Sequence, residues 1–218
     1  MYKQVKRVVL LSVFLILLIC VCVFILFRNI NLNDVDATVL ANDVYDKPTI
    51  GKEHAKDKIV IFADFKCPFC KKLDTQVLPH LKNKYVDSGK ANIKILLPTI
   101  LGKDSKIAAK AGYAIYMYYP EKYYEYFQKI FSIQPNNEGE WINERLIDNE
   151  LEKLNIPKEK LEKIKVEYKK KNSITEKEVE EDNELYRKFN NQYVPSVYVN
   201  GEFVDDPYNI KSFEDKLE

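Results

Sequence analysis

The stretch Lys58-Ile59-Val60-Ile61-Phe62-Ala63-Asp64-Phe65, followed at once by Lys66-Cys67-Pro68-Phe69-Cys70, decides the reading of this chain. Its opening half is a short, nearly continuous apolar run rich in β-branched residues, the pattern of a strand buried on both faces in the middle of a sheet. From Cys67 the period changes. Leu73, Val77, Leu81 and Tyr85 recur at every fourth position, which predicts a helix ending near Ser88-Gly89, where glycine closes the last turn. Two thiols three residues apart thus stand in the opening turn of a helix, at the end of a buried strand.

Outward from this stretch, Asn92 to Leu97 reads as a second buried strand, stopped by Pro98 and Gly102. Strand, helix and strand make a βαβ unit, whose strands should be parallel and whose crossover should be right-handed. From Lys103 to about Asn190 the signals are helical, starting with Ile107, Ala108, Ala111, Ala114, Ile115 and Tyr118 on one face. Further helices are expected over Pro120–Phe131, Trp141–Leu154, Pro157–Lys170 and Thr175–Asn190. Pro120 and Pro157 suit first-turn positions, Gly139 and Asn155 suit breaks, and Thr175-Glu176-Lys177-Glu178 has capping-box spacing. Val197–Val199, Asn200-Gly201 and Glu202–Val204 predict a hairpin, because Asn-Gly suits a two-residue turn with positive φ. A closing helix is expected from about Asn209 to Leu217.

With 218 residues, of which 46% are hydrophobic, the chain has material for one well-cored domain and an additional segment. Its 34 Lys and Arg nearly balance 33 Asp and Glu, so no charge excess draws it to nucleic acid. The additional segment is the apolar run Val8–Phe27, about twenty residues, long enough to cross about 30 Å of hydrocarbon as a helix. Lys3, Lys6 and Arg7 precede it, and Asp34, Asp36 and Asp43 follow, which puts residues 1–7 in the cytoplasm and the rest outside the membrane. A cleaved signal peptide is the competing reading, but the run is long for one. Ile25-Leu26-Phe27-Arg28 also lacks the small residues a peptidase needs. Lipoprotein processing fares no better, since neither Cys20 nor Cys22 follows a small residue. Residues 28–50, polar and interrupted by Asp46-Lys47-Pro48, read as a stalk that gives way to an edge strand, and 51–218 as the folded domain.

The four cysteines divide into two pairs. Cys20 and Cys22 lie in the apolar run, where a thiol packs as a small hydrophobe, with acylation as the alternative. Cys67 and Cys70 stand in the outer domain, where an oxidising compartment lets them cycle between dithiol and disulfide. Unpaired amides and the helix dipole favour a thiolate at Cys67, so it should be the nucleophile and Cys70 the resolving thiol. Pro68 has no amide hydrogen to leave unsatisfied in that turn. Half of a zinc site is the other meaning of the spacing, but His54 and His80, the chain's two histidines, read as surface residues and supply no second half. No metal or other cofactor is expected. Asp64 either caps the turn or moves protons. Tyr113, Tyr116, Tyr118, Tyr119, Tyr123, Tyr124, Tyr126 and Phe127 are expected to pack the core of the insert; a groove for unfolded polypeptide is the alternative.

Phe65-Lys66-Cys67-Pro68-Phe69-Cys70-Lys71, taken with Tyr193-Val194-Pro195-Ser196-Val197-Tyr198-Val199-Asn200-Gly201, resembles the DsbA-like branch of the thioredoxin superfamily, in particular its membrane-attached BdbD-type oxidases. The resemblance spans roughly Val44 to the end. It implies an α/β, thioredoxin-like fold with a helical insertion at about 103–190, here preceded by a single N-terminal transmembrane helix. It further implies a cis Pro195 that keeps metal from the thiols and, with Val194, offers backbone groups to a substrate chain. The activity implied is disulfide formation in secreted or surface proteins of a bacterial cell. The partners implied are reduced or unfolded proteins and a quinone-linked membrane oxidase of the DsbB type. Phe69 departs from the histidine that strongly oxidising members often carry between their cysteines, and Ile61 stands where relatives carry an acid. A reductase or isomerase of the same fold is therefore the nearest rival, and a tethered peptide-binding chaperone with a static disulfide is the second. The redox reading requires the Cys67 sulfur to face Val194-Pro195 and to be open to a foreign thiol.

Overall fold

The computed structural model describes residues 13–23, 35–136 and 139–217. Asn33–Glu218 form one compact unit, separate from Met1–Leu32. Within the latter, residues 13–23 are helical and exposed. Among the described residues no helix is long and apolar enough to cross a membrane. The remainder of the Val8–Phe27 run, the basic residues before it and Arg28 after it lie outside the described residues.

The compact unit is built on a five-stranded mixed sheet ordered β1-β3-β2-β4-β5. Its strands are β1 (Thr49–Ile50), β2 (Asp57–Phe62), β3 (Ala91–Leu96), β4 (Ser196–Val199) and β5 (Glu202–Phe203). β2 and β3 run parallel, pairing Ile59 with Ile93 and Ile61 with Ile95. β2 also pairs antiparallel with β4, Ile61 opposite Val197. The central strand is therefore hydrogen-bonded on both edges, and Ile59, Val60, Ile61 and Phe62 are buried, which is what its unbroken apolar run demands.

After β2 the chain turns into α2 (Pro68–Gln76), then a short α3 (Leu78–Leu81) and a π-turn (Lys82–Val86). A single continuous helix was expected here. Pro79 has no amide to donate, and the helix breaks at Val77 with φ −117°. The apolar stripe survives the break, for Leu73, Val77, Leu81 and Tyr85 are all buried.

Ahead of the sheet, α1 (Ala37–Asp43) occupies much of the segment expected to be a stalk. Asp36 caps it through bonds from the Thr38 and Val39 amides, and Leu40 and Val44 enter the core. The sequence hid this because the apolar residues between Val35 and Val44 fall in a short stretch with no clear period. Beyond α1, the buried Lys94 ammonium draws in the Tyr45 carbonyl at 2.8 Å, Thr49 Oγ1 at 2.7 Å and Glu53 Oε1 at 2.7 Å. Those bonds hold the chain that carries β1 against β3.

The insert consists of α4 (Ser105–Tyr118), α5 (Tyr123–Ser132), α6 (Glu144–Glu152), α7 (Lys158–Lys169) and α8 (Ile174–Lys188). The box at the start of α8 lies two residues before its expected place. Ser173 Oγ accepts the Glu176 amide at 3.1 Å, while Glu176 Oε2 accepts the Asn172 amide at 2.8 Å. The aromatic stretch is interior packing: Tyr113, Tyr123, Tyr126 and Phe127 are buried, and Phe65, three residues past β2, meets Tyr126 edge-on and Phe127 and Phe131 at a tilt, with ring centroids 5.3–5.9 Å apart. The insert is thus packed directly under the cysteine-bearing turn. Asn200 (φ 53°) and Gly201 (φ 90°) make the expected turn between β4 and β5. Gly201 has a second reason to lack a side chain, since a Cβ there would lie 2.7 Å from the Val35 carbonyl. A single-turn α9 (Lys211–Glu214) closes the unit, shorter than expected.

Candidate active site

Cys67 stands at the N-cap of α2, in extended backbone (φ −81°, ψ 116°), with Pro68 starting the helix. Its amide donates to the Asp64 carbonyl at 2.9 Å and its carbonyl accepts from Lys71, so the turn between strand and helix is fixed on both sides of the sulfur. Cys70 follows within the opening turn. Both are free thiols.

The Cys67 sulfur donates to the Val194 carbonyl oxygen at 3.2 Å, and the peptide bond from Val194 to Pro195 is cis. Two segments far apart in sequence therefore meet at one atom, as the redox reading required. Its other requirement is not met in this form. Cys67 is only 3% exposed and Cys70 2%, whereas Phe69 between them is 60% exposed. The nucleophile lies under cover beside an open aromatic ring.

The two thiols are electrostatically unlike. The hydrogen bond from Cys70 does most to pull the Cys67 pKa down, joined by the Cys70 and Phe69 amides against the cost of burial. Burial, then the bond to Cys67 and its charge, push Cys70 well above the ordinary thiol range. Of the two, Cys67 is the more readily ionised and Cys70 the one that holds its proton more tightly. The exposed amides at the helix start contribute as expected, but the neighbouring thiol leads.

Asp64, 1% exposed, is saturated with donors. Oδ1 accepts the Lys66 amide at 2.9 Å and the Ser105 hydroxyl, and Oδ2 accepts the Leu101 amide at 2.9 Å. It caps the turn and ties it to α4 and to the loop after β3. Burial raises its pKa while these bonds oppose the rise, and its charge opposes ionisation of both sulfurs. His80 is exposed on α3, 3.5 Å from Glu214, and His54 lies in the loop between β1 and β2. Among the described residues no cluster of three or more His, Cys, Asp or Glu is placed to hold a metal.

Two neighbours escaped sequence reasoning. Gln134, after α5, donates Nε2 to the Phe65 carbonyl at 2.8 Å, and its own carbonyl accepts Lys71 Nζ at 3.0 Å, clamping the insert to the start of α2. Tyr208, between β5 and α9, donates its hydroxyl to the Phe69 carbonyl at 3.4 Å. The Pro207-Tyr208 pair, an aromatic on a turn just past the hairpin, was the one signal pointing to it.

Comparison with known proteins agrees with this geometry. A family model described as Thioredoxin (Thioredoxin_4) matches residues 43–218. The probable disulfide bond formation protein D of Bacillus anthracis is 39% identical over 165 residues, covering 74% of this chain and 73% of that protein. Disulfide bond formation protein D of Bacillus subtilis (strain 168) is 28% identical over 186 residues, 84% of this chain and 81% of its own. Oxidised BdbD from Bacillus subtilis superposes with a TM-score of 0.72 at 27% identity, over 79% of this chain and 91% of that one. The thiol-disulfide exchange protein alpha-DsbA2 from Wolbachia pipientis shares the fold, with a TM-score of 0.69 at 20% identity over 85% and 94% of the two chains.

Proposed function

This chain belongs to the DsbA-like, BdbD-type thiol-disulfide oxidoreductases of the thioredoxin superfamily, and on that premise we propose that it forms disulfide bonds in secreted or surface proteins by cycling Cys67 and Cys70. The observation that carries the reading is the division between the two thiols at the Val194 carbonyl, one sulfur ionising readily and the other keeping its proton.

In the oxidised enzyme a substrate thiolate attacks the Cys67 sulfur, the bond to Cys70 breaks, and Cys70 leaves with the electron pair and takes up a proton. A second substrate thiolate then attacks the substrate sulfur of the mixed disulfide and displaces Cys67 as a thiolate. The substrate loses two electrons and gains a disulfide; the enzyme is left as the dithiol. A low Cys67 pKa makes that last departure easy. Val194 and Pro195 line the Cys67 side and offer backbone groups to the substrate chain. Pro68 and Phe69 shape the turn, and Asp64 acts on both sulfurs through its charge. No cofactor beyond the redox disulfide enters the cycle. An external oxidant must remove the two electrons, and a quinone-linked membrane protein of the DsbB type fits that task.

The anchor Val8–Phe27 belongs to the same proposal. Its length and flanking charges support a single-pass membrane protein with residues 1–7 in the cytoplasm and the compact unit from Asn33 onward as the catalytic domain outside. Cys67→Ser tests the function. With a reduced, unfolded protein as substrate, the parent should restore native disulfides and the variant should not. A variant that still promotes recovery overturns the oxidase reading in favour of a chaperone. A reduction potential near about −270 mV would assign the same pair to reduction, and one near about −120 mV to oxidation.

A further inference from the structure

We propose that Tyr208 is a positioning residue that covers the Cys67–Cys70 turn and must swing aside before a partner thiol reaches the Cys67 sulfur. The proposal rests on the exchange chemistry argued above and explains what that chemistry leaves open, namely how a nucleophile that is 3% exposed meets a protein substrate.

Tyr208 lies beside the turn but on a different element. Its backbone is set by an Asp206 turn, with the Tyr208 amide on Asp206 Oδ1 at 3.0 Å and the Asn209 amide on the Asp206 carbonyl at 3.3 Å. Pro207 is buried beneath it and the residues on either side of this pair are exposed, so the ring is held by a short surface loop. From there the hydroxyl reaches the Phe69 carbonyl at 3.4 Å, the long end of hydrogen-bond distances. The Lys72 ammonium, one helical turn on from Pro68, sits 4.1 Å from the ring centroid. Both contacts are to the α2 turn, and both are of the kind that is weak at a surface. Burial first, then the two neighbouring sulfurs of Cys70 and Cys67, push the phenol pKa up to about 12, so the ring, set beside the turn by the contacts above, stays neutral when Cys67 titrates.

A neutral ring fastened by one long hydrogen bond and one exposed cation–π contact closes the site without altering its charge. Removing it should therefore change how fast Cys67 is reached and leave its ionisation alone. Alkylation of the reduced full-length protein by iodoacetamide separates the two. Cys67 is followed by peptide mass spectrometry, which resolves it from Cys20 and Cys22. The rate against pH yields a plateau that reports access and a midpoint that reports the thiolate.

Tyr208→Ala is expected to raise the plateau about tenfold with the midpoint unmoved, and Tyr208→Phe and Lys72→Ala, each losing one contact, about threefold. A plateau in Tyr208→Ala that stays at the parent value, or a midpoint that moves while the plateau does not, overturns the proposal. Should Tyr208→Ala fail to fold, unchanged plateaus in both milder variants do the same. Because alkylation needs no substrate protein or oxidant, a failure here is distinct from failure of the Cys67→Ser assay.

Discussion

The sulfur of Cys67 and the carbonyl oxygen of Val194, 127 positions apart in the chain, lie 3.2 Å from each other. A substrate strand laid along Val194 would bring its own sulfur to Cys67, the thiol bonded to the Val194 carbonyl. Cys70→Ser should accordingly be trapped by client proteins that carry disulfides, its Cys67 thiolate attacking a client disulfide and releasing one client thiolate; the mixed disulfides are seen as slow-migrating bands on non-reducing gels, and Cys67→Ser should give none. Bands in Cys67→Ser alone would reverse the assigned roles.

Ionisation of Cys67 depends on Cys70 as a donor. Titrating the reduced protein by thiolate absorbance near about 240 nm should show a midpoint below the ordinary thiol range, and Cys70→Ala should move it upward. The sign carries into stability. A folded-state pKa depressed below the unfolded one stabilises the reduced fold above the unfolded value, and that contribution is lost as pH falls through the folded value. Reduced parent and Cys70→Ala should therefore converge in melting temperature on acidification.

Asp64 acts in the opposite direction on the same sulfur. Its charge opposes the Cys67 thiolate, so Asp64→Asn should lower the titration midpoint. An upward shift, or none, would mean that the carboxylate acts only through the bonds that hold the turn.

Asp74, on α2 one turn beyond Cys70, is buried with its Oδ1 unpartnered, and burial raises its pKa to about 7. A raised carboxyl pKa favours the fold at low pH and loses that benefit as pH rises through about 7. Replacement by Asn should stabilise the protein by on the order of 2 kcal/mol above neutrality, with little effect near the unfolded carboxyl pKa of about 4. Thermal melts across that range decide it; a constant difference at every pH would refute the ionisation account.

Lys94→Met should remove the bonds that gather Tyr45, Thr49 and Glu53 over β3. A cost of about 2 kcal/mol is expected, since carbonyls and a carboxylate lose their donor at a covered site. Limited proteolysis should then cut the segment before β2 sooner than elsewhere. Unchanged cleavage would show that α1 alone holds it.

The centre of the fold was legible because its chemistry is local. An apolar run for β2, thiols at a helix start and Asn200-Gly201 at a turn each state their structure within a few residues. Val194-Pro195 was legible through its company rather than by itself. What stayed hidden depends on residues meeting across the chain. α1 shows no stripe until Leu40 and Val44 find the core. Lys94 looks like an interruption of β3 until three acceptors converge on its ammonium. Tyr208 is one aromatic among many until its hydroxyl is seen on Phe69. The break at Val77 was available in Pro79, but the four-residue stripe outweighed it.

Thr49 and Ile50, a strand of two residues, occupy the flank of β3 with Thr49 opposite Lys94. An enzyme that acts on reduced proteins is exposed to a particular hazard, since a bare sheet border recruits any extended segment as an extra strand and ends in co-aggregation. By folding the stretch after α1 back onto that border, the protein turns its own leader into a bumper, and clients are left to find the face where the sulfur waits.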